Sequence, residues 1–234
     1  MTTLLLTLAL ALAVPCDQAD TTQVAEATAR ASVFDLAGAA ERLSGTTVGC
    51  PMADVALAYL RGLLAAREAY ELGGPPESLD PVRAAIEVLD THTLQVPAAA
   101  IARAVLQAAR AAAQSERDEM ALFLEHAVEL ERLQQAAGQP GLAIITAHEV
   151  AGDLWLQVHR YEDARRAYVL AAGQVGATAR VALGLARAAA QLDDLPAACG
   201  AYAMLGVGTP QDHQASEFAE ARAFLDRSAC RRVR

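Results

Sequence analysis

Lysine and asparagine are absent from the 234-residue chain, and all 19 of its basic residues are arginine. Aromatic residues are scarce, at 4%. So few aromatic and β-branched side chains argue against an all-β fold, whose pleated faces are built from them. Positive charge is not in excess: the formal net charge is −9, which argues against a nucleic-acid binder, whose affinity comes mainly from cations on phosphates. No GxGxxG, Walker or GxSxG motif occurs, so nucleotide use and a serine-hydrolase elbow have no support. No CxxC and no Cys/His cluster is present, which speaks against zinc. The five histidines, His92, His126, His148, His159 and His213, form no HExxH pair and read as surface or half-buried residues. The expectation is a protein that is not an enzyme and holds no cofactor or metal.

What is present is alanine. Counted along the chain there are 56, about a quarter of all residues, within a hydrophobic total of 54%. Charged residues at 20% among so much Ala and Leu exclude a disordered chain. Leu4 to Val14 is apolar except for Thr7. It is too short to span a bilayer, which needs roughly 20 residues. It fits the apolar region of a secretory signal, with Ala11-Leu12-Ala13 as a small-x-small cleavage pattern, so residues 1–13 read as a signal peptide. The mature chain is then periplasmic or secreted, with no integral membrane span. Cys16 follows closely, but Pro15 stands where a lipobox has a small flexible residue, so lipid anchoring is not expected. The basic tail of Arg231, Arg232 and Arg234 reads as a solubilising terminus.

Four cysteines remain after Ala13: Cys16, Cys50, Cys199 and Cys230. They permit two disulfides in three connectivities, or they are four small buried hydrophobes. A Cys16–Cys50 bridge is the easier one if the chain breaks near Ser32 and two short helices return it to its start. A Cys199–Cys230 bridge looks harder. A turn centred near 209 sets Cys199 level with residue 219, roughly 16 Å short of Cys230 along a straight helix.

Helix punctuation dominates from Thr21 onward. Asp80-Pro81 reads as an N-cap with Pro in the first turn. Ser115 and Asp118 look like a capping box ahead of a helix whose Met120, Phe123, Leu124, Ala127 and Leu130 form one apolar face. Breaks fall at Gly73-Gly74-Pro75-Pro76, Gln139-Pro140-Gly141 and Gly206 to Pro210. The pattern predicts one or two helices within 21–44, then helices over 51–71, 80–91, 97–114, 116–137, 141–158, 161–174, 178–192, 195–205 and 212–228. Short connections make neighbouring helices antiparallel hairpins.

The last ninety residues repeat at a spacing of 34. Ala151 matches Leu185, Gly152 matches Ala186, Ala164 matches Ala198, Tyr168 matches Tyr202 and Ala171 matches Leu205. Small residues at Gly152, Ala186, Ala164 and Ala198 admit close helix approach, and Tyr168 and Tyr202 fill the space beside it. This stretch resembles the tetratricopeptide repeat family through Gly152-Asp153-Leu154-Trp155, Arg160-Tyr161-Glu162-Asp163-Ala164 and Arg165-Arg166-Ala167-Tyr168. The second copy, with Leu192-Asp193-Asp194-Leu195, Ala198 and Tyr202, is degenerate. The resemblance implies an all-α fold of antiparallel helical hairpins stacked as a right-handed superhelix, an α-solenoid. Residues 141–229 would be two repeats plus a C-terminal capping helix carrying Phe218, Ala221, Phe224 and Leu225. Residues 21–137 would be a divergent helical-hairpin region covering the open face of the first repeat, or a small bundle docked on it.

In that family the first helix of each repeat lines a concave face that holds peptides or partner helices. The positions carried over are Glu149, Asp153 and Gln157 from the first copy and Arg180, Arg187 and Gln191 from the second. Asp153 and Arg187 could instead simply pair with each other, which needs no partner. The implied function is an exported scaffold or adaptor in a bacterial cell envelope that binds another protein or peptide, with no nucleic acid involved. The alternative is an all-helical enzyme or ligand-binding domain with its site in 21–137. A closed apolar pocket with convergent polar groups would favour that alternative, and an open groove the first reading.

Overall fold

A computed structural model describes residues 16, 18–46, 50–139, 144–205, 216–226 and 230. Residues 1–13, read above as a signal peptide, together with His213 and the arginine tail, lie outside these. Among the described residues the chain forms eleven α-helices and no strand: α1 (Gln18–Ser32), α2 (Leu36–Leu43), α3 (Pro51–Leu72), α4 (Asp80–His92), α5 (Ala98–Ala113), α6 (Arg117–Ala136), α7 (Ala147–Gln157), α8 (Tyr161–Val175), α9 (Ala179–Gln191), α10 (Leu195–Leu205) and α11 (Ser216–Leu225). None is long and apolar enough to cross a membrane.

Most boundaries fall within a few residues of the expected ones. The exceptions have local causes. Helix α7 starts at Ala147, not at 141, because Thr146 and Glu149 form a full capping box. The box expected at Ser115 and Asp118 does not form; Glu116 is the N-cap and no side chain caps it. Ser115 cannot serve because it sits in the left-handed region at φ 63° and closes the preceding helix. Asp80 is the first residue of α4, after a 3₁₀ turn over Pro76–Leu79, and its carboxylate pairs with Arg83.

That left-handed residue recurs. All five odd-numbered helices from α1 to α9 end on one, at Phe34, Gly73, Ser115, His159 and Asp193. Behind each, the following N–H reaches back five residues: Asp35 to Arg30, Gly74 to Ala69, Glu116 to Ala111, Arg160 to Trp155 and Asp194 to Ala189, at 2.8–3.1 Å. This is the Schellman closure. Only Gly73 escapes the Cβ penalty that the other four carry. His159 and Asp193 are 34 residues apart, so the sequence repeat is also a repeat of backbone geometry.

Every helix packs on the next along the chain, and the odd-numbered ones also touch in series: α1 on α3, α3 on α5, α5 on α7, α7 on α9. Two tyrosines of α3 tie that helix to both ends of α7. Tyr59 donates to the Ile145 carbonyl at 3.2 Å and Tyr70 to the Gln157 carbonyl at 2.7 Å. Both links run in the same chain order, so α3 and α7 are parallel. One buried apolar cluster runs from Ala27 in α1 to Ala167 in α8, so the regions on either side of 137–141 share a core. A second cluster joins α9, α10 and α11, with Phe34 packed against it. Phe34 meets Phe218 edge-on, with ring centroids 5.8 Å apart, so the α1–α2 turn touches α11.

Both disulfides are formed, Cys16–Cys50 and Cys199–Cys230. The first is the bridge expected to be the easier one. The second corrects the straight-helix argument against it: α11 ends at Leu225, before Cys230, and Cys230 is buried in the cluster that holds Cys199.

Candidate functional site

The inner faces of α7 and α9 border a cavity of about 600 Å³. Its opposite wall comes from Phe34, Leu36 and the second half of α3, and α10 and α11 add Tyr202, Glu217 and Glu220. Five of the six positions expected on the concave face line it: Asp153, Gln157, Arg180, Arg187 and Gln191. Glu149 does not. It is buried, and its carboxylate accepts from the Thr146 N–H at 3.0 Å as part of the helix start. Burial pushes its pKa up, and the Thr146 hydrogen bonds only partly offset that.

The wall is built around Tyr168. Its ring lies against the backbone of α7 at Gly152 and of α9 at Gly184, where a Cβ would overlap it. Gly152 was expected to admit a close approach; Gly184, which the repeat did not single out, completes the slot, and Ala186 is buried in the next cluster with Ala198 and Tyr202. The Tyr168 hydroxyl donates to Asp153 at 2.5 Å, and Arg180 bonds the other oxygen of the same carboxylate at 2.5 Å. The next repeat has the same device with the charges exchanged. Arg187, which occupies the place of Asp153 one repeat later, pairs with Glu220 of α11 at 2.5 Å, and the Tyr202 hydroxyl donates to Glu220 at 2.6 Å. Asp153 and Arg187 therefore do not pair with each other. Each binds the next odd-numbered helix.

Arg180 lines the cavity but is largely enclosed. Its side chain is only 12% exposed, against 46% for Asp153. Burial alone would lower its pKa; Asp153 and then Glu149 outweigh this and hold it above the usual guanidinium value. Glu220 is held below the ordinary carboxylate value, because the Arg187 and Tyr202 hydrogen bonds outweigh the burial that would raise it. Across the cavity, Arg67 pairs with Glu71 at 3.3 Å. Reasoning from the repeat missed Phe34, Arg67, Tyr70, Glu71, Tyr161, Glu217 and Glu220. Among the described residues no group of three or more His, Cys, Asp or Glu could hold a metal ion.

No family model, no curated protein and no solved structure matches the chain. The site must therefore be read from its own geometry.

Proposed function

We propose that the protein is an exported scaffold or adaptor of tetratricopeptide type, which holds a segment of another protein in this cavity within a bacterial cell envelope. One observation carries the reading: five polar residues selected by repeat position converge on a single concave cavity. The serial contacts of the odd-numbered helices and their shared helix-ending turn support a stacked-hairpin superhelix that includes residues 21–137. Two disulfides fit an oxidising compartment.

The Phe34–Phe218 contact favours a second reading, a domain for a small ligand, because it joins the two ends of the array beside the cavity. That site would be shared between the halves and would not lie in 21–137 alone, since α7, α9 and α11 supply much of the wall.

The test is capture from the native envelope extract by the immobilised mature chain, compared with Gln191→Trp. Gln191 is exposed and lines the cavity, so the indole obstructs the site without entering the core. Loss of a co-purifying protein with unchanged helix content supports the reading. Equal capture by both chains refutes it.

A further inference from the structure

We propose that the cavity takes an uncharged, extended peptide segment and reads it by its main chain, through the side-chain amides of Gln157 and Gln191. This rests on the reading of the cavity as the binding site.

The charges argue first. Three arginines line the cavity, and each already has a carboxylate: Arg67 has Glu71, Arg180 has Asp153, Arg187 has Glu220. Tyr168 and Tyr202 reinforce two of those carboxylates. An acidic segment would have to break a pair and leave Asp153 or Glu220 facing its own charge. A basic segment would have to separate Arg180 or Arg187 from its partner. Breaking a partly buried ion pair strands one charge, at a cost above that of leaving a surface pair alone. The two partly buried pairs, Arg180–Asp153 and Arg187–Glu220, are thus closed to a charged ligand, while Arg67–Glu71 is exposed and Glu217 has no ion partner among the described residues.

What remains available is neutral hydrogen bonding on an apolar floor. Gln157 and Gln191 each carry an amide, with one acceptor oxygen and an NH₂ donor, the complement of a peptide C=O and N–H. They are 34 residues apart, so they hold the same place on two neighbouring parallel-stacked helices, α7 and α9. Helices packed in this way lie roughly 8–10 Å apart, a distance that three residues of extended chain cover at about 3.3 Å each. The floor is Leu63, Ala66, Leu154, Leu183 and Ala190, and half of the ten aromatic residues of the chain line the same space: Phe34, Tyr70, Tyr161, Tyr168 and Tyr202. Uncharged side chains find contact there, acidic ones find every lining arginine already paired, and for basic ones Glu217 is the one lining carboxylate without an ion partner among the described residues.

The experiment selects a randomised dodecapeptide library on the disulfide-intact mature chain, with counter-selection on Gln191→Trp. The winning peptide, synthesised with acetyl and amide ends, is then titrated calorimetrically. The expected result is enrichment of sequences with an uncharged core. Gln157→Ala/Gln191→Ala should weaken binding at least roughly tenfold while melting stays unchanged, and aspartate or arginine placed in the core should weaken it as much. Enrichment of acid-rich or base-rich peptides overturns the proposal, as does no enrichment over the blocked variant. So does N-acetyl-leucinamide binding as tightly as the full peptide, which points to a small-molecule site. If binding ignores the two glutamines but is lost in Gln191→Trp, main-chain reading is wrong and the cavity stands. If it survives both changes, the cavity reading falls with it.

Discussion

Glu131 offers the sharpest test of the packing, because its cost changes with pH. It projects from α6 and is 1% exposed. Both carboxylate oxygens accept from the Ala147 N–H at 3.2 Å, so the side chain caps the start of α7. Burial raises its pKa to about 7, the hydrogen bond from Ala147 lowers it, and the nearby Glu149 raises it again. In the unfolded chain the group titrates near its ordinary value of 4.5. Because the folded value is the higher one, the folded state holds the proton more tightly. Stability is therefore greatest below about pH 4.5 and falls as pH rises toward 7. At 1.36 kcal/mol per unit the loss is about 3 kcal/mol, complete somewhat above neutrality. Glu149, raised in the same direction by its burial, steepens the fall.

Glu131→Gln keeps an acceptor for the Ala147 N–H and removes the charge. The variant and the parent should agree within about 1 kcal/mol at pH 5, where the parent carboxyl is protonated in the fold. At pH 8 the variant should be more stable, by about 1–3 kcal/mol. Urea unfolding with both disulfides intact, at pH 5, 6, 7 and 8, measures this directly. If Glu131→Gln is less stable than the parent at pH 8 by the same margin as at pH 5, then the bond to the α7 start outweighs burial and the argument is wrong.

Three other outcomes follow from the packing. Thiol titration of the unfolded, unreduced mature protein should find no free cysteine thiol; converting either bridge to a serine pair should cost roughly 3–4 kcal/mol for closed loops of 34 and 31 residues, and free thiols in the parent would reject the pairing. Gly184→Ala should destabilise by about 1–3 kcal/mol, because its Cβ overlaps the buried Tyr168 ring, whereas Gly173→Ala on α8, with open space around its Cβ, should stabilise by up to about 1 kcal/mol; reversal of that order in chemical denaturation would show that the slot is loose. Trp155→Ala should cost about 2–3 kcal/mol rather than the larger penalty of a fully buried tryptophan, since the residue is only partly buried, with the Arg160 guanidinium 5.7 Å from its ring centroid, and a loss under about 1 kcal/mol would remove it from the structural core.

The helices were legible in the sequence because apolar spacing and the Gly/Pro clusters mark them locally. The turns between them were not. A left-handed residue is expected to be glycine, yet Phe34, Ser115, His159 and Asp193 all take that conformation. There the backbone closure and the packing of the next helix override the preference of the single residue. Ser115 shows how one role displaces another: as the closing residue of α5 it is unavailable as the cap of α6. The Cys199–Cys230 bridge was misjudged for a related reason. Rise per residue extrapolates only while a helix continues, and α11 ends at Leu225.

The site was half legible, and the division has a physical basis. A repeat relates positions that share a helix face, so one spacing brought out Asp153, Gln157, Arg180, Arg187 and Gln191 together. It also brought out Glu149, which lies on the same stripe but at the third position of its helix, where the free N–H groups of the first turn claim a carboxylate. The far wall lies outside any repeat. Arg67, Tyr70 and Glu71 belong to α3, and their approach to α7 depends on the Tyr59 and Tyr70 hydroxyls finding carbonyls 86 and 87 residues away. The charge exchange between repeats carries this further. With an acid at position 153 and a base at 187, each must find its opposite on the next odd-numbered helix, Arg180 on α9 and Glu220 on α11. Putting α11 in the place of α9 would set Glu220 against Asp153. The pairs that occupy Arg180 and Arg187 also fix which helix follows which in the wall, so the proposed preference for an uncharged segment and the specificity of stacking draw on one set of side chains.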